Sequence, residues 1–259
     1  MSSNGGLWLK QRSHELVLAG ALLTRLPMPR LPAELLARPG DGAWAYPLVG
    51  LLVGGAAGLA YWTSALLGLP GSLGALAALA VSCAMTGCLH EDGLADFADG
   101  IGGGRTKASK LEIMRDSRIG TYGTVSLILS FTARYAAISV LSPVQGCLAL
   151  VVTHMMSRGL LGVIFRTLEP ARGDGLSAAA GKPRMAGVAF AILLPVAAAA
   201  LFLSPLVALA ITVAAGTAVL GLAWLAHRHV GGHTGDVFGA GEQVAEIATL
   251  WTLASLAVG

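Results

Sequence analysis

His90–Gly104 reads HEDGLADFADGIGGG and stands between two long apolar stretches of the chain. Asp92, Asp96 and Asp99 fall at i, i+4 and i+7, which puts all three on one face of a helix. Like charges at that spacing repel and weaken an isolated helix, so a cation is expected among them. An all-oxygen donor set suits Mg²⁺, or Mn²⁺, better than zinc. Glu91 adds a fourth carboxylate. The competing reading is a solvated acidic segment in which Asp92 caps a helix.

Away from this stretch, charge is scarce. Only 12% of the 259 residues are charged and 55% are hydrophobic, with a mean hydropathy of +0.72. A soluble domain carries about 25% charged residues, so the composition predicts an all-α, polytopic integral membrane protein. Runs near the roughly 20 residues needed for a crossing lie at Leu48–Leu69, Leu73–Leu89, Tyr122–Leu141, Val144–Phe165, Ala186–Leu203, Leu206–Ala226 and Val244–Val258. About seven transmembrane helices are expected, in a single membrane domain. Residues 1–47 form its cytoplasmic or interfacial amino-terminal segment, and residues 48–259 its bundle.

The connections alternate. Pro70–Ser72, Ser142–Pro143 and Ser204–Pro205 are short and uncharged, whereas Glu91–Thr121, Arg166–Met185 and His227–Gln243 are long and charged. Every Lys, and every Arg except Arg134 and Arg158, lies on the charged connections or before Leu48. The positive-inside rule makes that side cytoplasmic, with the N-terminus inside and Gly259 outside. His14–Leu26 reads as an interfacial helix before a turn at Pro27, Pro29 and Pro32, since its uninterrupted apolar run is too short for a signal peptide. Cys83, Cys88 and Cys147 form no C-x-x-C pair and are expected as small buried hydrophobes, without a disulfide framework or a zinc site. A net charge of +3 matches loops facing anionic lipid or phosphate, not nucleic acid.

Three further groups of residues extend the acidic stretch. Arg105, Lys107, Lys110, Arg115 and Arg118 follow it, suited to clamping phosphates bridged to a metal or to meeting lipid headgroups. Gly102–Gly104 would let backbone amides approach an anion. Gly231–Glu246, GGHTGDVFGAGEQVAE, places Asp236 in a glycine-rich loop beside His233 and Thr234, then Glu242 and Glu246 one turn apart. Arg172, Asp174 and Lys182 occupy a small-residue loop whose spacing alone reads as a plain connection. Arg158 enters about 12 Å into its helix, with His154 one turn deeper, and an intramembrane Arg needs an anionic partner. Arg134 is deeper still and reads as structural or snorkelling.

HEDGLADFADGIGGG followed by IMRDSRIGTYG (Ile113–Gly123) closely resembles the signature of the cobalamin-5′-phosphate synthase, or adenosylcobinamide-GDP ribazoletransferase, family. LLTRLPMP (Leu22–Pro29), AYPLVG (Ala45–Gly50), SRGLLG (Ser157–Gly162), ARGDGLS (Ala171–Ser177) and GGHTGDVFGAGEQVAE extend the resemblance over nearly the full length. Phe97 and Ser177 depart from the family pattern without removing a charged group. The resemblance implies that a hydroxyl of α-ribazole, or of its 5′-phosphate, attacks the corrinoid-linked phosphate of adenosylcobinamide-GDP and releases GMP. It also implies a divalent metal, a multi-pass place in the cytoplasmic membrane of a prokaryote and a cytoplasm-facing site. Self-association is left open.

On this reading Asp92, Asp96, Asp99 and Asp236 hold the metal, and Asp99, or else Glu91, takes the proton. Arg105, Lys107, Arg115, Arg118, Arg158, Arg172, Asp174, His233, Thr234 and Asp236 meet the substrates, with both acidic segments sharing one cavity. A CDP-alcohol-type phosphotransferase would share the Asp-rich logic, but with wider aspartate spacing and a D-G-x-x-A-R opening. A cation-coupled transporter would place its ionisable groups nearer the midplane.

Overall fold

The computed structural model describes residues 3–29, 31, 39–175 and 179–258. Pro32, Ser177 and Gly259 lie outside the described residues. Among those described there are ten α-helices and no strand. They are α1 (Ser3–Leu23), α2 (Tyr46–Leu66), α3 (Gly71–Thr86), α4 (Leu89–Gly103), α5 (Lys107–Ile113), α6 (Thr121–Ser139), α7 (Pro143–Thr167), α8 (Met185–Phe202), α9 (Pro205–Val230) and α10 (Gly235–Val258). A 3-10 turn over Pro39–Ala45 leads into α2.

Each of the seven apolar runs is helical. Four helical stretches are long and apolar enough to cross a membrane: Gly40–Leu66, Pro143–Thr167, Met185–Phe202 and Pro205–Val230. A fifth candidate is the pair α3 and α4, bent by 87°. The expected run Leu73–Leu89 therefore breaks early. Gly87 and Cys88 both adopt the left-handed conformation, with φ of 64° and 56°, and turn the chain sharply. Cys88 is exposed at this corner, not buried as expected, while Cys83 and Cys147 are half-buried. At 15 residues and about 1.5 Å per residue, α4 is too short to cross and lies at a sharp angle to α3.

Helix ends follow local chemistry. Ser142 and Gln145 form a capping box that opens α7 with Pro143 in its first turn, and Ser204 accepts the Val207 amide to open α9. The bundle centre is α2 against α7. Gly50, Gly54 and Gly58 form a stripe on α2 that lies on the α7 backbone; a Cβ at Gly54 or Gly58 would stand 2.6 or 2.8 Å from the Leu150 or Cys147 carbonyl oxygen. Small residues allow this approach in a bundle that hydrocarbon solvent does not squeeze together. At one end, the Tyr61 hydroxyl donates to the Ile138 and Leu141 carbonyls, tying the short α2–α3 and α6–α7 hairpins together. The charged connections gather elsewhere: Arg172 bonds the Leu111 carbonyl, Arg115 bonds Asp174, and Lys110 meets His229. Leu193, Leu206, Leu209 and Val213 on α8 and α9 are exposed, an apolar face suited to lipid.

Candidate functional site

The acidic stretch forms α4, and its aspartates divide by environment. Asp92 is exposed, Asp96 half-buried and Asp99 buried. Asp99 Oδ2 accepts the Gly120 amide at 2.7 Å and its Oδ1 the Gly123 amide at 2.9 Å, at the start of α6. A Cβ at Gly120 would stand 2.5 Å from Asp99 Oδ1, so the glycines of RIGTYG make room for this carboxylate. Negative charge at a helix N-terminus is favourable, and each oxygen accepts one amide. These two bonds anchor α4 to the start of α6.

Asp92 and Asp96 flank Gly93, and Gly93 is where α4 touches α10. A Cβ there would stand 3.0 Å from Gly239 Cα and 3.2 Å from Asp236 Cα. Backbone-on-backbone contact thus brings Asp236, from the distant glycine-rich segment, beside Asp92 and Asp96. Asp96 is pushed up to about 7, first by burial and then by Asp92, Asp236 and Asp99. The Thr234 hydroxyl donates to Asp236 Oδ2 at 3.1 Å, and an Arg172 nitrogen lies 3.8 Å from the same oxygen. A single guanidinium at that distance leaves the three carboxylates under-neutralised. The donor set and its raised affinity for protons fit a hard divalent cation. No three of these aspartates bring ligand atoms within 4.8 Å of one another among the described residues, so an ion would have to draw them in.

Asp92, Asp236 and His90 line one cavity of about 200 Å³, whose other walls come from α1, α2, α7 and α10. Among these are Leu22, Tyr46, Phe165 and Phe238. The Phe165 and Phe238 rings lie 4.1 Å apart between centroids. The His233 ring packs on both, at 5.5 and 5.0 Å, and its backbone pairs with Glu169 and Ala171. The His233 ring therefore backs the aromatic wall, and Thr234 orients Asp236.

The basic residues are partly committed. Arg118 is fully exposed and bonds Asp116, which it holds down at about 2. Arg115 bonds Asp174 at 2.5 Å on the surface. Lys107 lies over the αL cap Gly231, where a Cβ would stand 2.6 Å from its Nζ. Arg105 is exposed. Lys182 pairs with Glu169. Gly102 and Gly104 do not form an anion cradle: the helix runs through Gly103, and a Cβ at either would meet the Tyr122 ring or the Lys110 backbone.

Glu91 belongs to a different assembly, buried between α4, α6, α7 and α10. Arg134 bonds Glu91 and Glu246 at 3.0 Å each, and Arg158 bonds Glu242 at 2.5 Å and Glu246 at 3.2 Å. His154 lies 2.5 Å from Glu246, and Gln243 bonds Glu242. Arg158 thus has the carboxylate partner expected, but makes no contact with the acidic cavity described above. Glu91 is likewise bonded inside the bundle, through Arg134. The signal for Arg134 was present in the sequence, as one unpaired charge on α6 and one extra Glu on α10. His90 and the aromatic wall carried no such signal.

The family profile described as cobalamin-5-phosphate synthase matches residues 15–254. A protein of Bradyrhizobium diazoefficiens called adenosylcobinamide-GDP ribazoletransferase is 45% identical over 95% of each chain. Proteins of the same name from Rhizobium etli and Rhizobium johnstonii are 42% and 41% identical, over 95% of this chain and 98% of theirs. No solved structure matches. With the profile covering nearly every helix, and the acidic α4 and the Gly231–Glu246 segment packed into one site, the chain belongs to the cobalamin-5-phosphate synthase family.

Proposed function

We propose that the protein joins adenosylcobinamide-GDP to α-ribazole or its 5′-phosphate, releasing GMP and giving adenosylcobalamin or its 5′-phosphate. The observation that carries this reading is the packing of Asp92 and Asp96 against Asp236 across the Gly93–Gly239 contact, in a chain whose relatives bear that name. Phosphoryl transfer asks mainly for positioning and for neutralisation of charge. Asp92, Asp96 and Asp236 are the residues that would hold Mg²⁺, or Mn²⁺, which when bound supplies positive charge to a diphosphate. Thr234 fixes the rotamer of Asp236, and Asp99 fixes α4 to α6 so that the acidic face stays in place. Arg105 and Lys107 are exposed and have no carboxylate partner among the described residues, which leaves both available to phosphate oxygens. Arg115 and Arg118 would have to exchange Asp174 and Asp116 for substrate. Arg172 keeps its place beside Asp236.

The chain is read as crossing the cytoplasmic membrane seven times, by α2, α3, α6, α7, α8, α9 and α10, with α1 on the cytoplasmic surface. Helices α6 and α10 have spanning length, 19 and 24 residues, and their charges are paired inside the bundle. The family match favours neither a CDP-alcohol phosphotransferase nor a transporter. The deciding assay uses purified protein in detergent with adenosylcobinamide-GDP and α-ribazole-5′-phosphate. GMP should appear with Mg²⁺ and not after chelation; no GMP under any acceptor would remove the reading.

A further inference from the structure

The geometry points to a subsite for the aromatic base of the acceptor nucleoside in the cavity walled by Leu22, Leu23, Tyr46, Leu161, Phe165 and Phe238, with the sugar hydroxyls at its Asp92–Asp236 end. This assignment rests on the proposed transfer and names which substrate, and which part of it, the cavity takes. Size is the first support. A cavity of about 200 Å³ is smaller than the roughly 300–1,000 Å³ pockets that hold drug-sized ligands, so it holds a fragment of a substrate and not a nucleotide-linked corrinoid.

Chemistry chooses the fragment. The walls are hydrocarbon and ring faces, with the tilted Phe165–Phe238 pair offering a surface on which a flat heterocycle can pack. Among the described residues of the lining, the only formal charges are the two carboxylates. A divalent cation held by those carboxylates would keep a diphosphate at that end, away from the apolar walls, and a guanine base would bury its several donors and acceptors against hydrocarbon. An apolar fused-ring base loses nothing by that burial, and its ribose hydroxyls are the groups that a carboxylate end accepts from.

A second observation points independently to a ligand. His90 lines the cavity and is 3% exposed, and its Nε2 is buried with no hydrogen-bond partner among the described residues. Its other nitrogen, Nδ1, lies 3.8 Å from Glu242 Oε2. An unpaired buried ring nitrogen is costly, and since Nε2 is closed to water, a small turn of the His90 ring toward a hydrogen-bonding atom on the nucleoside would satisfy it. The base then lies deep, and the hydroxyl-bearing sugar sits where Asp92 and Asp236 meet the donor.

The test compares acceptors on the wild-type protein and on Leu161→Phe, which narrows the cavity. Calorimetric titration with α-ribazole alone, without donor, reads the subsite directly. The wild type should bind α-ribazole about tenfold or more tighter than a riboside with a one-ring base, as expected for apolar area lost from a pocket. Leu161→Phe should weaken α-ribazole by about tenfold and the one-ring riboside less, with the KM for adenosylcobinamide-GDP within about twofold of wild type. Equal affinity of the wild type for both ribosides would overturn the assignment, as would a loss in Leu161→Phe that falls on the donor. The wild-type comparison stands even if the variant misfolds. Turnover without discrimination between bases removes the subsite alone; discrimination in binding without GMP release removes the proposed transfer and leaves the subsite.

Discussion

Asp96, Asp99 and Asp236 are chemically one residue type with three fates set by what lies within a few ångströms. Asp99 is satisfied by two amides and serves the fold. Asp236 is steadied by Thr234 and Arg172. Asp96 has acidic neighbours and partial burial, and is pushed up to about 7. An unfolded Asp releases its proton near 3.9, so between about 4 and 7 the native state binds more protons than the unfolded one. Stability from this group therefore falls as pH rises through that window, which is the reverse of a salt-bridged carboxylate. Asp96→Asn removes the penalty. In chelated detergent solution it should melt at a higher temperature than the wild type at pH 8, with the gap closing as pH falls toward 4, while GMP release is lost. A lower melting temperature at pH 8 would show that Asp96 already has a cationic partner in the fold. The i, i+4, i+7 spacing revealed the shared helix face, but not that backbone amides of another helix claim its third member.

The contact between α4 and α10 is what turns two acidic segments 140 residues apart into one site, and it is made by glycine. A Cβ at Gly239 would stand 2.9 Å from Gly93 Cα and 3.0 Å from the His90 carbonyl oxygen, so the obstacle is backbone and no rotamer change relieves it. Gly239→Ala should push the helices apart, at a cost of about 1–3 kcal/mol. Because Asp236 moves with α10, the apparent Mg²⁺ requirement should rise together with the loss of turnover. Gly216→Ala, on α9 where a Cβ meets nothing within 4 Å, is the matched control and should leave both unchanged. If Gly239→Ala binds Mg²⁺ and turns over as the wild type does, the close approach has no role in assembling the site. The glycines of DVFGAG are plain in the sequence, but which of them faces another backbone depends on a rotation of α10 that no local pattern specifies.

Across the bundle, the sequence's weak spots for span prediction are the places where charge is neutralised internally. Helices α6 and α10 fall below the apolarity of a simple span because of Arg134, Glu242 and Glu246, and those are the groups that bond one another and Arg158 across the interior. Hydropathy counts each charge as if it faced lipid; a paired, hydrogen-bonded charge inside a bundle does not. The 87° bend after α3 was equally hidden, since Gly87 and Cys88 sit in a run that reads apolar throughout. What remained legible was the alternation of short neutral and long charged connections. The contacts among Arg172, Asp236, Lys110 and His229 keep the charged connections together, while Tyr61 ties two of the neutral hairpins. On the proposed seven crossings, all charged connections should share one side, which the positive-inside rule makes cytoplasmic. In a background carrying Cys88→Ser, which removes the exposed native thiol, single cysteines at Ser117 and Gly173 should react with a membrane-impermeant maleimide only after the cells are opened. A cysteine at Ser72, in the α2–α3 hairpin, should react in intact cells. Labelling of Ser117 and Ser72 from the same side would break the alternation, and would require α3 and α4 to form a re-entrant pair that leaves the membrane where it entered.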